Sequence, residues 1–379
     1  MKKLILAFLV LSMAFSAFGC GQTPTETTVA ATTPATKATQ ATTGAAKATE
    51  ATQATQASSQ EPGKVVMVGS EGEIAATDFG YDAVPARKYT IAVVVKSAAI
   101  PVWESHIIAA KKAGDELGVT ILDFAPTKAD NVEEQKRILE DLITIGVDAV
   151  ILAPANTEAV KGPVQDLIDA GIPVIYDNTM GPADVDYLTF VGVDSTEVGA
   201  KIADKMAELI GEKGNVLVME GVPGQATSDL RTQGCKDRFA EAYPNVVVES
   251  GVTKWLFDEG RKLAEDYITK WGDDLTAIVS VGGNQAEGAV EAVKAAGKGG
   301  QILISGFDVQ EPQFTAVTNG DEAFTVSQGV YDQAYLSVVA AIRALNGESV
   351  PRLIKTPVTI VTLDNLAAMD ERPDALMKK

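Results

Sequence analysis

Residues 90–97 read TIAVVVKS, and the character of this run decides the fold. Ile91 to Val95 is continuously apolar and rich in Val, with no polar alternation. A strand open to water on one face alternates, whereas a strand covered on both faces does not. The run ends on Lys96 and Ser97. Beyond it, Trp103, Ile107, Ala110, Gly114 and Leu117 recur at helical spacing. A doubly buried strand, a polar end and an amphipathic helix together form the repeating unit of a parallel α/β sheet.

The unit recurs on the C-terminal side. LGVTILDF, VDAVILAPA and GIPVIYDN read as strands, with helices EEQKRILEDLITIG and PVQDLIDAG between them. Gly146 and Gly171 close those helices. YLTFVGVD then breaks the alternation, because only a short polar loop separates it from VIYDN. Asp194 and Ser195 read as the cap of the next helix, EVGAKIADKMAELIG. The cycle restarts with NVLVMEG, NVVVESG, LTAIVSVGG, QILISGFD and AFTVSQG, each followed by a helix, and VTIVT reads as a last crossover. Two doubly wound parallel lobes joined by crossing strands are the expected architecture. In such sheets the carboxyl ends of the strands face the ligand crevice. Lys96, Asp177, Asn178, Asn284 and Asp308 stand at such ends.

The N-terminal side is different in kind. Lys2 and Lys3 precede an apolar stretch from Leu4 to Phe18, and Gly19 precedes Cys20, which together read as a signal peptide over 1–20. Residues 21–63 are Thr/Ala/Gln-rich near-repeats with almost no large apolar side chains, so they read as a disordered stalk. Residues 64–88 read as an irregular leader, with VVMVG as a possible short strand. The chain has 379 residues, 46% apolar, and a net charge of −19. That charge excludes a nucleic-acid partner, which requires basic surface. Of the two cysteines, Cys235 reads as a small buried thiol. His106 reads as a solvated helix position.

IAVVVKSAAIPVW, GVDAVILAPANTEAV, AGIPVIYDN, GVDSTEVGAKIA, LISGFD and AFTVSQ together resemble the type 1 periplasmic binding proteins of the ribose- and arabinose-binding kind. The resemblance spans roughly Tyr89 to Gly347. It implies a three-stranded hinge between an N-terminal lobe (89–191 plus 329–357) and a C-terminal lobe and tail (192–328 plus 358–379). It also implies a ligand site made of Lys96, Trp103, Asp177, Asn178, Arg231, Trp255, Asn284, Asp308 and Gln328. Ile100 and Val102 depart from the polar and aromatic residues common in the family, and GGN at Gly282 to Asn284 departs from its usual pair. Cys20 resembles a lipobox cysteine, which implies lipidation and an extracytoplasmic, membrane-anchored chain.

These residue types suit a molecule covered in hydroxyls. Carboxylates accept from two neighbouring hydroxyls, Lys and Arg donate, and amides do both. Aromatic rings pack on the C–H face of a sugar. The expected function is a monomeric solute-binding lipoprotein that delivers a monosaccharide or related polyol to an ABC permease, without cofactor, metal or chemistry. The alternative is a sensor presenting its ligand, such as a furanose-type quorum signal, to a chemoreceptor or sensor kinase. Neither a catalytic motif nor a dinucleotide fingerprint occurs, since GVPGQ and VGGN are only glycine-bearing turns.

Overall fold

The structure is a computed structural model that describes residues 67–378. The signal-peptide, lipidation and stalk readings, Cys20 included, lie outside the described residues. The chain runs β1 (Ser70–Ala75), α1 (Ala76–Phe79), β2 (Thr90–Val94), α2 (Pro101–Leu117), β3 (Thr120–Phe124), α3 (Val132–Ile145), β4 (Ala149–Leu152), α4 (Lys161–Asp169), β5 (Val174–Asp177) and β6 (Thr189–Gly192). It continues with α5 (Ser195–Ile210), β7 (Gly214–Glu220), α6 (Ala226–Ala242), β8 (Val246–Val252), α7 (Phe257–Trp271), β9 (Leu275–Ser280), α8 (Gly283–Ala295), β10 (Leu303–Ser305), α9 (Glu311–Asn319) and β11 (Thr325–Ser327). It ends with α10 (Val330–Leu345), β12 (Pro351–Lys355), β13 (Thr359–Val361) and α11 (Pro373–Leu376).

Two parallel sheets result. The first is ordered β1-β12-β6-β5-β4-β2-β3 and the second β10-β9-β7-β8. Ile91 to Val94 are buried on both faces of the first sheet, as the unbroken apolar run requires. Strand order reverses between β2 and β4 in the first sheet and between β7 and β9 in the second. At such switch points the loops leaving adjacent strands diverge and open a crevice. The loops beginning at Lys96, Gly221 and Val281 all leave these strands.

The chain passes between the sheets three times, after β6, after β11 and after β12. Thr356 ties the passages together. Its N–H donates to the Gly192 carbonyl at 2.9 Å and its hydroxyl to the Gln328 carbonyl at 3.1 Å. The Gln333 amide donates to the same Gln328 carbonyl at 2.7 Å. β11 and β13 then pair antiparallel beside the second sheet. Asp194 caps α5 as expected, accepting from the N–H groups of Thr196 and Glu197 at 3.0 Å each.

The irregular-leader reading needs correction. Residues 70–79 form β1 and α1, and β1 pairs parallel with β12 at the edge of the first sheet. Phe79 is buried, and the Arg343 guanidinium lies 4.3 Å over its ring while donating to its carbonyl. Local pattern gave no sign of this, because the pairing strand lies some 280 residues downstream.

In the second sheet's layer, α5 and α6 touch backbone to backbone. A Cβ on Gly199 would stand 2.1 Å from the Arg231 carbonyl oxygen, and one on Gly234 would stand 2.2 Å from that of Thr196. This close crossing fixes the height of Arg231 along α6. Cys235 is fully buried beside it, and burial pushes its thiol pKa up. Among the described residues no helix is long and apolar enough to cross a membrane.

Candidate functional site

The strand ends of both sheets converge on one cavity with about 480 Å³ of space not occupied by atoms. That figure includes open solvent; the enclosed space is about 60 Å³, below the roughly 300–1,000 Å³ usual for small-molecule sites, so a ligand requires the lining side chains or the two halves to move apart. Lys96, Trp103 and Asn178 line it from the first sheet's side. Arg231, Trp255, Asn284 and Asp308 line it from the second, and Gln328 lines it from the hinge.

Asp177 is the exception among the expected residues. It ends β5, is 1% exposed and does not line the cavity. Its carboxylate turns toward α2, with Oδ2 3.7 Å from His106 Nε2. The next residue, Asn178, takes a left-handed backbone (φ 60°) that swings its amide to the cavity in Asp177's place. The solvated reading of His106 is likewise corrected. The ring is fully buried against Trp103, with centroids 4.9 Å apart. His106 lies three residues beyond Trp103, so helical spacing already placed both on one face.

A hydrogen-bonded network built around two glutamines holds the lining groups. Gln225, in the loop after β7, accepts from Lys96 Nζ at 3.1 Å and from Trp255 Nε1 at 2.8 Å. Its amide nitrogen donates to Asp130 Oδ1 at 2.6 Å and to the Ala155 carbonyl at 2.8 Å. Three of these partners belong to the first sheet's loops, so Gln225 bridges the two halves. Thr179 and Thr227 add a hydroxyl–hydroxyl bond of 2.6 Å across the same gap. Gln328 is the second hub. Its Oε1 accepts from Asn178 at 3.1 Å and Arg231 at 3.3 Å, and its Nε2 donates to Asp308 at 2.7 Å.

Arg231 is 2% exposed. It lies 3.8 Å over the Phe307 ring and donates to the Val281 carbonyl at 2.8 Å. Its Nε–H has no acceptor among the described residues. Its terminal nitrogens donate to Val281 and Gln328 and not to a carboxylate of its own helix. The Trp255 indole fills a slot floored by Gly221 and Gly282, where added Cβ atoms would stand 2.0 and 2.5 Å from the ring. The two glycine-bearing turns thus exist to admit that ring. Asp308 caps no helix, since α9 starts three residues later.

Backbone strain gathers here. Six non-glycine described residues have positive φ, and four of them, Asp130, Asn178, Trp255 and Asp308, line the cavity. Such conformations persist only where surrounding structure enforces them, and they concentrate at ligand sites. Burial also perturbs the charges. It lowers the Lys96 pKa to about 8, against the opposing pull of Asp130, and lowers Arg231 to about 10. It raises Asp308 to about 6, with Gln328 and Arg231 opposing the rise. It raises Asp177 to about 8 and lowers His106 to about 4, so this neighbouring pair is neutral at pH 7 and is no ion pair.

A stability prediction follows for Asp177. Its folded pKa lies above its ordinary value of 3.8. Its contribution is therefore fully present below about pH 4 and is lost as pH rises through about 8. The ligand-free Asp177→Asn variant will be more stable than the parent at pH 8.5, by on the order of a few kcal/mol. The gap will shrink toward pH 4. Thermal melts across pH check this, and parallel curves for the two proteins would contradict it.

Asp130, Thr227, Ile100, Val102, Val281, Gly282, Gly283 and Phe307 also line the cavity and were not assigned from sequence. Asp130 and Thr227 sit in loops and first turns where polar residues are ordinary, so their type carried no signal.

A family model described as a periplasmic binding protein domain matches residues 91–349. The chain is 30% identical over 275 residues to a ribose import binding protein of Haemophilus influenzae, covering 72% of this chain and 91% of that protein. It is 30% identical over 242 residues to a D-ribose/D-allose-binding protein of Pseudomonas aeruginosa, covering 61% and 75%. Among solved structures, an ABC transporter periplasmic solute binding protein from Actinobacillus succinogenes with bound D-allose matches with a TM-score of 0.70. The identity is 26%, with 74% of this chain and 100% of that one covered.

Proposed function

The chain belongs to the periplasmic binding protein family, and from that membership we propose that it captures a monosaccharide or related polyol for an ABC importer. In this reading one lobe takes 70–191 plus 329–357 and the other 192–328 plus 358–379. The ligand sits between them and is held by Lys96, Trp103, Asn178, Arg231, Trp255, Asn284, Asp308 and Gln328. Asp177 supports Asn178 from behind. Closure about the three crossings yields the form that the membrane permease recognises. Cys20 carries the lipid and 21–63 the stalk, which makes the protein an extracytoplasmic monomer tethered by its acyl chains.

One observation carries this reading. Charged groups, amides and two indoles from both sheets meet in one cavity. Such a set matches hydroxyls along a ring edge and C–H groups on its face. Relatives in sequence include a ribose import binding protein and a D-ribose/D-allose-binding protein, and no feature of the site favours the sensor alternative. Trp103 and Trp255 line the cavity, so their fluorescence will respond to ligand. A titration against pentoses, hexoses and inositols is expected to give saturable quenching or enhancement for at least one compound. A flat signal throughout, matched by absence of heat in calorimetry, sinks the proposal.

A further inference from the structure

Beyond β13 the chain turns back over the junction between the lobes. Leu366 is buried with Val309, Val317 and Val361 in an apolar cluster of the lobe that carries α9. The Arg372 guanidinium lies 3.7 Å over the Phe314 ring of α9 and donates to Glu311 at 2.8 Å. These contacts seat the segment on α9. α11 packs on α2 of the other lobe, and Leu376 is fully buried. Glu371, itself buried, bonds to both lobes. Its carbonyl accepts from Gln310 Nε2 at 3.2 Å and lies 3.1 Å from the Ser105 hydroxyl of α2, which also reaches Gln310 Oε1 at 3.0 Å. Its carboxylate accepts from the Ser327 hydroxyl at 2.7 Å and from the Val330 N–H at 3.3 Å. Val330 opens α10, and Gly329 before it has no side chain to cap the helix. A carboxylate there pairs an otherwise unpaired N–H and complements the helix dipole. The cap comes from 41 residues downstream.

We propose that residues 366–376 are a strap that holds the lobes in their closed arrangement, with Glu371 as the residue that joins them. The strap adds a fourth, noncovalent tie to the three chain crossings, and its purpose rests on the sugar-capture reading. The enclosed space of about 60 Å³ admits a ligand only when groups move apart. As the lobes separate, Ser105 and Val330 leave with one lobe while Leu366 and Arg372 stay with the other, and the bonds through Glu371 break. Buried bonds to a charged group are strong, so the strap slows opening and with it ligand release. A ligand entering the open form meets the strap already undone, so its rate of entry does not depend on Glu371.

Stopped-flow tryptophan fluorescence with D-ribose, D-allose, D-xylose and myo-inositol tests this, using whichever of them the parent binds, beside small-angle scattering of the ligand-free proteins. Glu371→Ala is expected to release sugar about tenfold faster while association stays within about twofold of the parent. Its ligand-free radius of gyration is expected to exceed the parent's, and saturating sugar to restore the compact value. Glu371→Gln keeps an acceptor beside Val330 without the charge, and its release rate is expected to fall between the two. Thermal melts confirm the fold, and should the alanine variant not fold, the glutamine variant decides by the same readouts. Release within about twofold of the parent, or unchanged ligand-free dimensions, overturns the strap even where the melt is lowered, because capping α10 is then the whole role of Glu371. Silence from all four sugars overturns capture instead, and the ligand-free scattering still decides the strap.

Discussion

Arg231→Met will lower ligand affinity by at least about 100-fold while leaving the protein folded. The guanidinium sits where the α5–α6 crossing fixes it, stacked on Phe307 and donating to Val281 and Gln328. Its Nε–H is buried without an acceptor among the described residues, so it is available to a ligand oxygen. Met retains much of the volume over Phe307 and removes every donor. Charge-assisted bonds in a closed cavity are about twice as strong as neutral ones. Their loss also leaves Asp308 without the cation that opposes its upward pKa shift. Arg231→Lys will recover little, because an ammonium cannot reproduce the planar fork. Calorimetry reads the affinity and a thermal melt reports the fold. Either variant binding within threefold of the parent contradicts the role given to Arg231.

Gln225→Met will weaken binding by about 10- to 100-fold, although Gln225 is not among the cavity-lining residues. Its amide joins Lys96, Asp130 and Ala155 on one side of the gap to Trp255 on the other. Met matches its length but makes none of those bonds. The closed arrangement then loses direct support, and apparent affinity falls in proportion to the closed fraction. Small-angle scattering of the ligand-free variant will show a larger radius of gyration than the parent. Saturating ligand will restore the compact value. Unchanged dimensions together with unchanged affinity would remove Gln225 from the closing device.

What could be read from sequence follows from what each signal encodes. Unbroken Val/Ile runs mark doubly covered strands, so β2, β4, β5, β7 and β9 were plain, and with them the polar residues at their ends. That rule placed Lys96, Asn178, Asn284 and Asp308 at strand ends, and all four line the cavity. It did not find Gln225 and Asp130, because a polar residue in a loop carries no periodic signature and their importance arises from each other, 95 residues apart. The pairing of β1 with β12 was hidden for the same reason. Asp177 and Asn178 show a finer limit. Both stand at one strand end, and only the left-handed turn at Asn178 decides which side chain faces the cavity. His106 was recoverable from its helical spacing to Trp103 and was misread because a lone polar residue on an amphipathic helix suggests the wet face.

The most direct measurement is a crystal structure of the protein with the tightest-binding sugar from the panel. Density for one sugar is expected in the cavity between the two sheets, in contact with Trp103 and Trp255 and hydrogen-bonded to Arg231 and Asp308. A sugar bound elsewhere, with Lys96, Arg231 and Asp308 still bonded only to protein, would show that this cavity is a packed interior and not a binding site.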